Sequence, residues 1–156
     1  MKLSNLIAVG TLCAVGAICN TAVAADTATV TVSANVVGTC KFNSGGSVSF
    51  TLDPTSAIDA PGTVTQPAFW CTKGATYTIT DNLGVNEAVA GTAPRRMKHA
   101  SLAEYIPYSF SYTASSTGNG KTSPITLDIS ASVVNADFVN ASAGNYSDTV
   151  TLSITP

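Results

Sequence analysis

Apolar and polar residues alternate along most of the chain. Val30, Val32, Ala34 and Val36 fall on one side, with Thr29, Thr31, Ser33 and Asn35 between them. A period of two is the mark of a strand with one apolar face. Gly38 interrupts it ahead of Cys40 and Phe42, and Asn43 to Gly46 reads as a turn. Val48, Phe50 and Leu52 alternate again and stop at Asp53-Pro54; residues 53–63 read as loop. Further strands are predicted over 65–72, over 76–80, through Ile106, Tyr108, Phe110 and Tyr112, and through Ile125, Leu127, Ile129, Ala131 and Val133. A closing strand runs from Tyr146 through Val150, Leu152 and Ile154. Residues 81–104, with Gly84, Gly91, Pro94 and the basic run Arg95 to His99, are the least regular. No amphipathic helix and no internal repeat emerges. Six or seven short strands separated by turn signals predict an all-β, antiparallel, immunoglobulin-like sandwich.

Composition narrows the setting. Only 10% of the 156 residues are charged, against about 25% in an ordinary domain. Thr (22) and Ser (17) supply the polar positions instead, which suits strands and turns. A net charge of −2 argues against a nucleic-acid partner, which calls for a basic face. The first 25 residues read as a removable signal peptide: Lys2, an apolar run from Leu6 to Ile18, then Ala22-Val23-Ala24 as a small-residue cleavage motif. The run is too short for a stable membrane anchor. Ile18 and Leu12, bulky residues ahead of Cys19 and Cys13, argue against lipidation at either cysteine. Residues 26–156 are then one exported domain with six basic and nine acidic side chains.

Catalytic chemistry is hard to place. There is no phosphate loop, nucleophile elbow, H-E-x-x-H or dinucleotide fingerprint. His99 is the sole histidine, in a basic stretch without a nucleophile motif, and reads as a solvated loop residue. The nine acidic residues are scattered. No enzyme activity, cofactor or metal is expected. Arg95, Arg96, Lys98 and His99 could bind an anion, and the tyrosines of 105–112 a sugar, but a solvated turn and ordinary cross-strand packing are the commoner origins of such patterns and are the readings favoured. Two cysteines remain beyond the signal, Cys40 and Cys71, and in an exported chain they most simply form one disulfide.

The stretch from Asp26 to Cys40 would span about 46 Å if fully extended, longer than the 17–20 Å of an ordinary strand. It is either one long first strand or an extension followed by a strand. An extension with alternating valines could add to a sheet edge of a neighbouring molecule. Pattern alone leaves both readings open.

Several segments together resemble a known family. They are Val36-Val37-Gly38-Thr39-Cys40, Val48-Ser49-Phe50, Trp70-Cys71-Thr72-Lys73-Gly74 with Tyr77-Thr78-Ile79, Arg95-Arg96-Met97, Tyr105 and Tyr108, and the closing Ala143 to Leu152 with its Gly-x-Tyr-x-Asp-Thr-Val core. These resemble the spore coat protein U domain, the domain of archaic, Csu-type chaperone–usher pilins, over essentially all of 26–156. The resemblance implies an incomplete immunoglobulin-like antiparallel β-sandwich that lacks its last strand. It implies residues 26–36 as donor extension, with Val30, Val32, Ala34 and Val36 as the donor side chains. It implies an acceptor groove edged by Val48, Phe50 and Leu52 on one side and Val150, Leu152 and Ile154 on the other. The partners implied are a periplasmic chaperone, an outer-membrane usher and neighbouring pilin subunits, with export through the periplasm to a surface pilus used in adhesion and biofilm formation. A secreted spore or cell coat without pili, and a lectin-like binding module, are the alternatives. Tip adhesins of the family carry a second domain, so a shaft or minor subunit is expected.

Overall fold

The computed structural model describes residues 25–91 and 94–156. The expected signal segment lies in 1–24, outside the described residues. The chain divides into two units, 1–34 and 35–156. Of the first, residues 25–34 form no strand and are exposed.

The second unit is built from thirteen short strands and one helical turn among the described residues. Four antiparallel sheets result. In the first, β5 (Ala68–Cys71) runs between β1 (Cys40–Phe42) and β10 (Ile125–Thr126). The second, of five strands, orders β12 (Tyr146–Ser147), β7 (Arg95–His99), β8 (Tyr105–Tyr112), β11 (Ile129–Val133) and β3 (Ala60–Pro61). The third places β6 (Thr76–Asp81) between β13 (Leu152–Thr155) and β9 (Ser115–Thr117). The fourth pairs β2 (Ser47–Ser49) with β4 (Thr63–Thr65). Pro61, which cannot donate to a ladder, lies on an edge strand, where that costs nothing.

Alternation decides what faces inward. Phe69 and Cys71 of β5, Tyr77 and Ile79 of β6, Leu127 and Ile129 form one buried cluster. Met97, Ile106, Val133, Ala60 and Phe138 form a second. Where β8 pairs with β11 the outward positions are serines, joined across the strands as Ser109–Ser132 (2.7 Å) and Ser111–Ser130 (2.8 Å). Cys40 and Cys71 face each other in register and are joined by a disulfide, which staples β1 to the central strand of its sheet.

Several sequence expectations change; the stretch 53–63, read as loop, holds β3 and the start of β4. The basic run is not a solvated turn but strand β7, in which Arg95, Met97 and His99 point inward and are buried. Burying Arg95 is possible because Asp81 of β6 supplies a carboxylate at 2.6 Å. The stretch 125–133 is two strands, because the amides of Leu127 and Ile129 bond to Pro67 O and Gln66 Oε1 as the chain passes between sheets. The closing strand is also two, β12 beside β7 and β13 beside β6, with 148–151 in neither. One helical turn, α1 (Asn135–Phe138), buries Phe138 in the second cluster.

Candidate functional site

The feature that stands apart from the packed core is a trench between two stretches of chain. One wall is β2 and the residues after it, Val48, Phe50 and Leu52; the other runs from the 141–146 turn through Asp148, Val150 and Leu152. Three adjoining hollows make it up. The middle one, about 370 Å3, is floored by Met97, Tyr108, Phe110 and Ile129. The second, about 550 Å3, shares Val48, Phe50 and Met97 with it and continues over Ile106 and Phe138 to Tyr146. The third, about 480 Å3, shares Val150 and Leu152 and opens toward Phe42.

Its walls are placed by local chemistry. Gly62 lets β2 settle closely: a Cβ there would fall 2.8 Å from Val48 Cγ1 and 3.0 Å from Phe50 Cε1. On the other wall Asp148 is a hub. Its Oδ1 accepts from the Val85 amide (3.0 Å) and Asn86 Nδ2 (3.1 Å), and its Oδ2 from the Tyr108 hydroxyl (2.7 Å). Burial and the Asp148 carboxylate together push the Tyr108 phenol well above its ordinary value, so it stays a donor. At the far end Glu104 accepts from Ser142 Oγ (2.9 Å) and Tyr146 Oη (2.8 Å), which holds its carboxyl below the usual range. Buried His99 packs edge-on to Tyr146, and its Nδ1 accepts the amides of Ser101 and Leu102, both at 3.0 Å. An Nδ1 that accepts twice puts the ring proton on Nε2, which faces Ala143 O at 3.3 Å.

Most of the backbone along the trench lacks strand partners; at one end Thr151 is held by Asn82, whose Oδ1 accepts its amide (2.9 Å) and whose amide donates to its carbonyl (3.2 Å). Among the described residues, no strand pairs with 50–53 or with 148–151. β12 and β13 are each the edge of their sheet, and β2 pairs only with β4. An apolar floor between two unpaired backbones has the form of a missing strand, since such edges are templates for another chain.

Five of the six residues expected at the acceptor edge line this trench: Val48, Phe50, Leu52, Val150 and Leu152. Ile154 lies two residues further along β13, opposite Ile79, and packs on the first core cluster. The four donor positions are exposed and outside any strand; Val30, Val32 and Val36 are 82%, 88% and 80% accessible. The sequence assigns no trench role to the floor residues Met97, Ile106, Phe110, Ile129 and Phe138 or to the hub Asp148, although Met97 and Asp148 fall in the family-like motifs. Alternation marked most of them as core, but which core residues lie under a gap is a property of topology. Among the described residues no cluster of His, Cys, Asp or Glu is arranged to hold a metal.

The Spore Coat Protein U domain model matches residues 26–153. The chain belongs to the spore coat protein U domain family. No curated protein sequence matches it. Among solved structures, this spore coat protein U domain is similar to a chain of the CsuC–CsuE chaperone–tip adhesion subunit pre-assembly complex, from the archaic chaperone–usher Csu pili of Acinetobacter baumannii. The identity is 16% and the TM-score 0.47, over 76% of this chain and 40% of that one. The domain thus spans less than half of that chain's length.

Proposed function

We propose that this chain is a structural pilin subunit that completes its sandwich with a strand taken from another molecule. The observation that carries the reading is the trench, with an apolar floor and, on both walls, backbone at 50–52 and 148–150 that no strand pairs. Membership of the family supports it. In this reading a periplasmic chaperone first lends a strand, and at an outer-membrane usher the extension of the next subunit, residues 26–36, takes its place. Repetition builds a surface fibre for adhesion and biofilm formation. Val30, Val32, Ala34 and Val36 enter the trench between Val48, Phe50 and Leu52 and the 148–152 wall. Burying the three valines supplies about 5–8 kcal/mol before ordering costs.

Polymerisation tests this. Val30→Asp and Val32→Asp subunits should bind chaperone normally, since their own trench is unaltered, yet fail to donate a strand. Fibres in electron micrographs should vanish. Fibres that still form from either variant remove the donor assignment.

A further inference from the structure

We propose that the outward face of the β1–β5–β10 sheet, centred on Trp70 and framed by Lys41, Lys73 and Lys121, binds a polyanionic glycan, a sugar chain bearing carboxylates or sulfates. The site is separate from the trench and does not depend on the donor-strand reading.

The alternation of β5 sets the geometry. Phe69 and Cys71 are fully buried, so Trp70 between them faces outward and is only partly covered. Lys41 lies directly opposite Trp70 in the ladder. Opposed residues on one sheet face bring their Cβ atoms to roughly 5 Å. Lys121 places its Nζ 5.8 Å from the centre of the indole. The loop that carries it is tied across the end of β5 by Gly120 N to Cys71 O (3.0 Å) and Gly74 N to Gly118 O (2.9 Å). A Cβ on Gly120 would sit 3.6 Å from that of Lys73, which brings Lys73 beside Lys121. All three lysines are exposed.

The distribution of charge is what points to a ligand. From residue 26 onward there are six basic side chains, and half of them stand around this one ring. Of the rest, Arg95 is buried against Asp81, and Arg96 bonds to the carbonyls of Asn86 and Glu87 while stacking on Tyr105. Arg95–Asp81 is the single ion pair among the described residues, so no carboxylate neutralises Lys41, Lys73 or Lys121. A local concentration of unpaired cations on an acidic protein attracts an anion. An indole in the middle adds a flat apolar platform. A sugar ring carrying acidic groups matches both, with its face on the indole and its anions on the ammonium groups. A nucleic acid offers the same two chemistries, and its binding in place of the glycan is an outcome of the test below.

Trp70 is the only tryptophan, so its emission reports on this face alone. The full chain is titrated with oligogalacturonate, and separately with neutral dextran and with single-stranded DNA. The expected result is a saturable change in Trp70 emission with oligogalacturonate and none with dextran. It should weaken at least about tenfold between ~0.05 and ~0.5 M NaCl, as unscreened charge attraction requires. Lys41→Gln/Lys121→Gln, both at exposed positions, should cut affinity by about tenfold or more with an unchanged circular dichroism spectrum. Trp70→Phe should lose retardation in a polygalacturonate gel. The proposal is overturned if emission does not respond, if the response survives the lysine substitutions, or if single-stranded DNA binds more tightly than the polyuronate.

Discussion

Asp81→Asn should be among the most damaging single changes in the domain. Asp81 Oδ1 accepts Arg95 Nη2 at 2.6 Å and the Leu83 amide at 2.7 Å, and its Oδ2 accepts the Tyr112 hydroxyl at 2.7 Å. The side chains of Arg95 and Asp81 are only 10% and 8% exposed. Arg95 Nε already has no partner, so the guanidinium is compensated chiefly through this carboxylate. The pair also ties β6 of one sheet to β7 and β8 of another. Asparagine keeps one acceptor oxygen but removes the charge. Leaving one partner of a buried pair uncompensated costs about 3–5 kcal/mol. Urea unfolding followed by Trp70 emission, on chain saturated with a peptide of residues 26–39, reads the loss. Asp81→Leu combined with Arg95→Met should recover most of it, because the desolvated charge is then gone. The pH dependence has a definite sign. Burial would raise the Asp81 carboxyl, but bonds from Arg95, Tyr112 and the Leu83 amide outweigh it and bring it below the usual value. Its contribution is therefore complete above about pH 4 and fades as the pH falls through that lowered value. A loss under about 1 kcal/mol for Asp81→Asn, or a double variant as unstable as the single one, would refute this reasoning.

Reducing the Cys40–Cys71 bond, or Cys40→Ala/Cys71→Ala, should cost about 3–4 kcal/mol for a closed loop of 31 residues, seen as a lower urea midpoint in dithiothreitol. At the alkaline end, burial and the Asp81 carboxylate push the Tyr112 phenol up to about 12, so its contribution is intact below about pH 10 and lost by about 12. Tyr112→Phe should make the urea midpoint less sensitive to pH in that window. Gly144→Ala would drive a Cβ into the His99 ring and should destabilise by roughly 1–3 kcal/mol. The single imidazole resonance should move with it.

How much of this was legible depends on what each residue's neighbours share with it. Tyr77 and Ile79, or Phe69 and Cys71, were readable because alternation and burial are the same fact on a two-faced strand. The basic run failed because a charged residue reads as solvated until its counter-ion is known, and Asp81 is 14 residues away in sequence. Met97 between Arg95 and His99 was the available hint, an apolar residue in step with two inward polar side chains. The closing run alternates throughout, yet no strand pairs with its middle, 148–151. Periodicity reports which side of a strand is apolar and not whether a partner strand exists. For the same reason the trench could be edged from the family resemblance, while its floor and the Asp148 hub needed the three-dimensional arrangement.

Amide hydrogen exchange along the trench walls tests the central claim most directly. In the isolated chain the amides of 50–53 and 148–150 should exchange as unpaired backbone does. In assembled fibres they should become protected by a factor of about 10³ or more, together with those of 29–36. Walls already protected in the isolated chain, with no further change on assembly, would contradict the account.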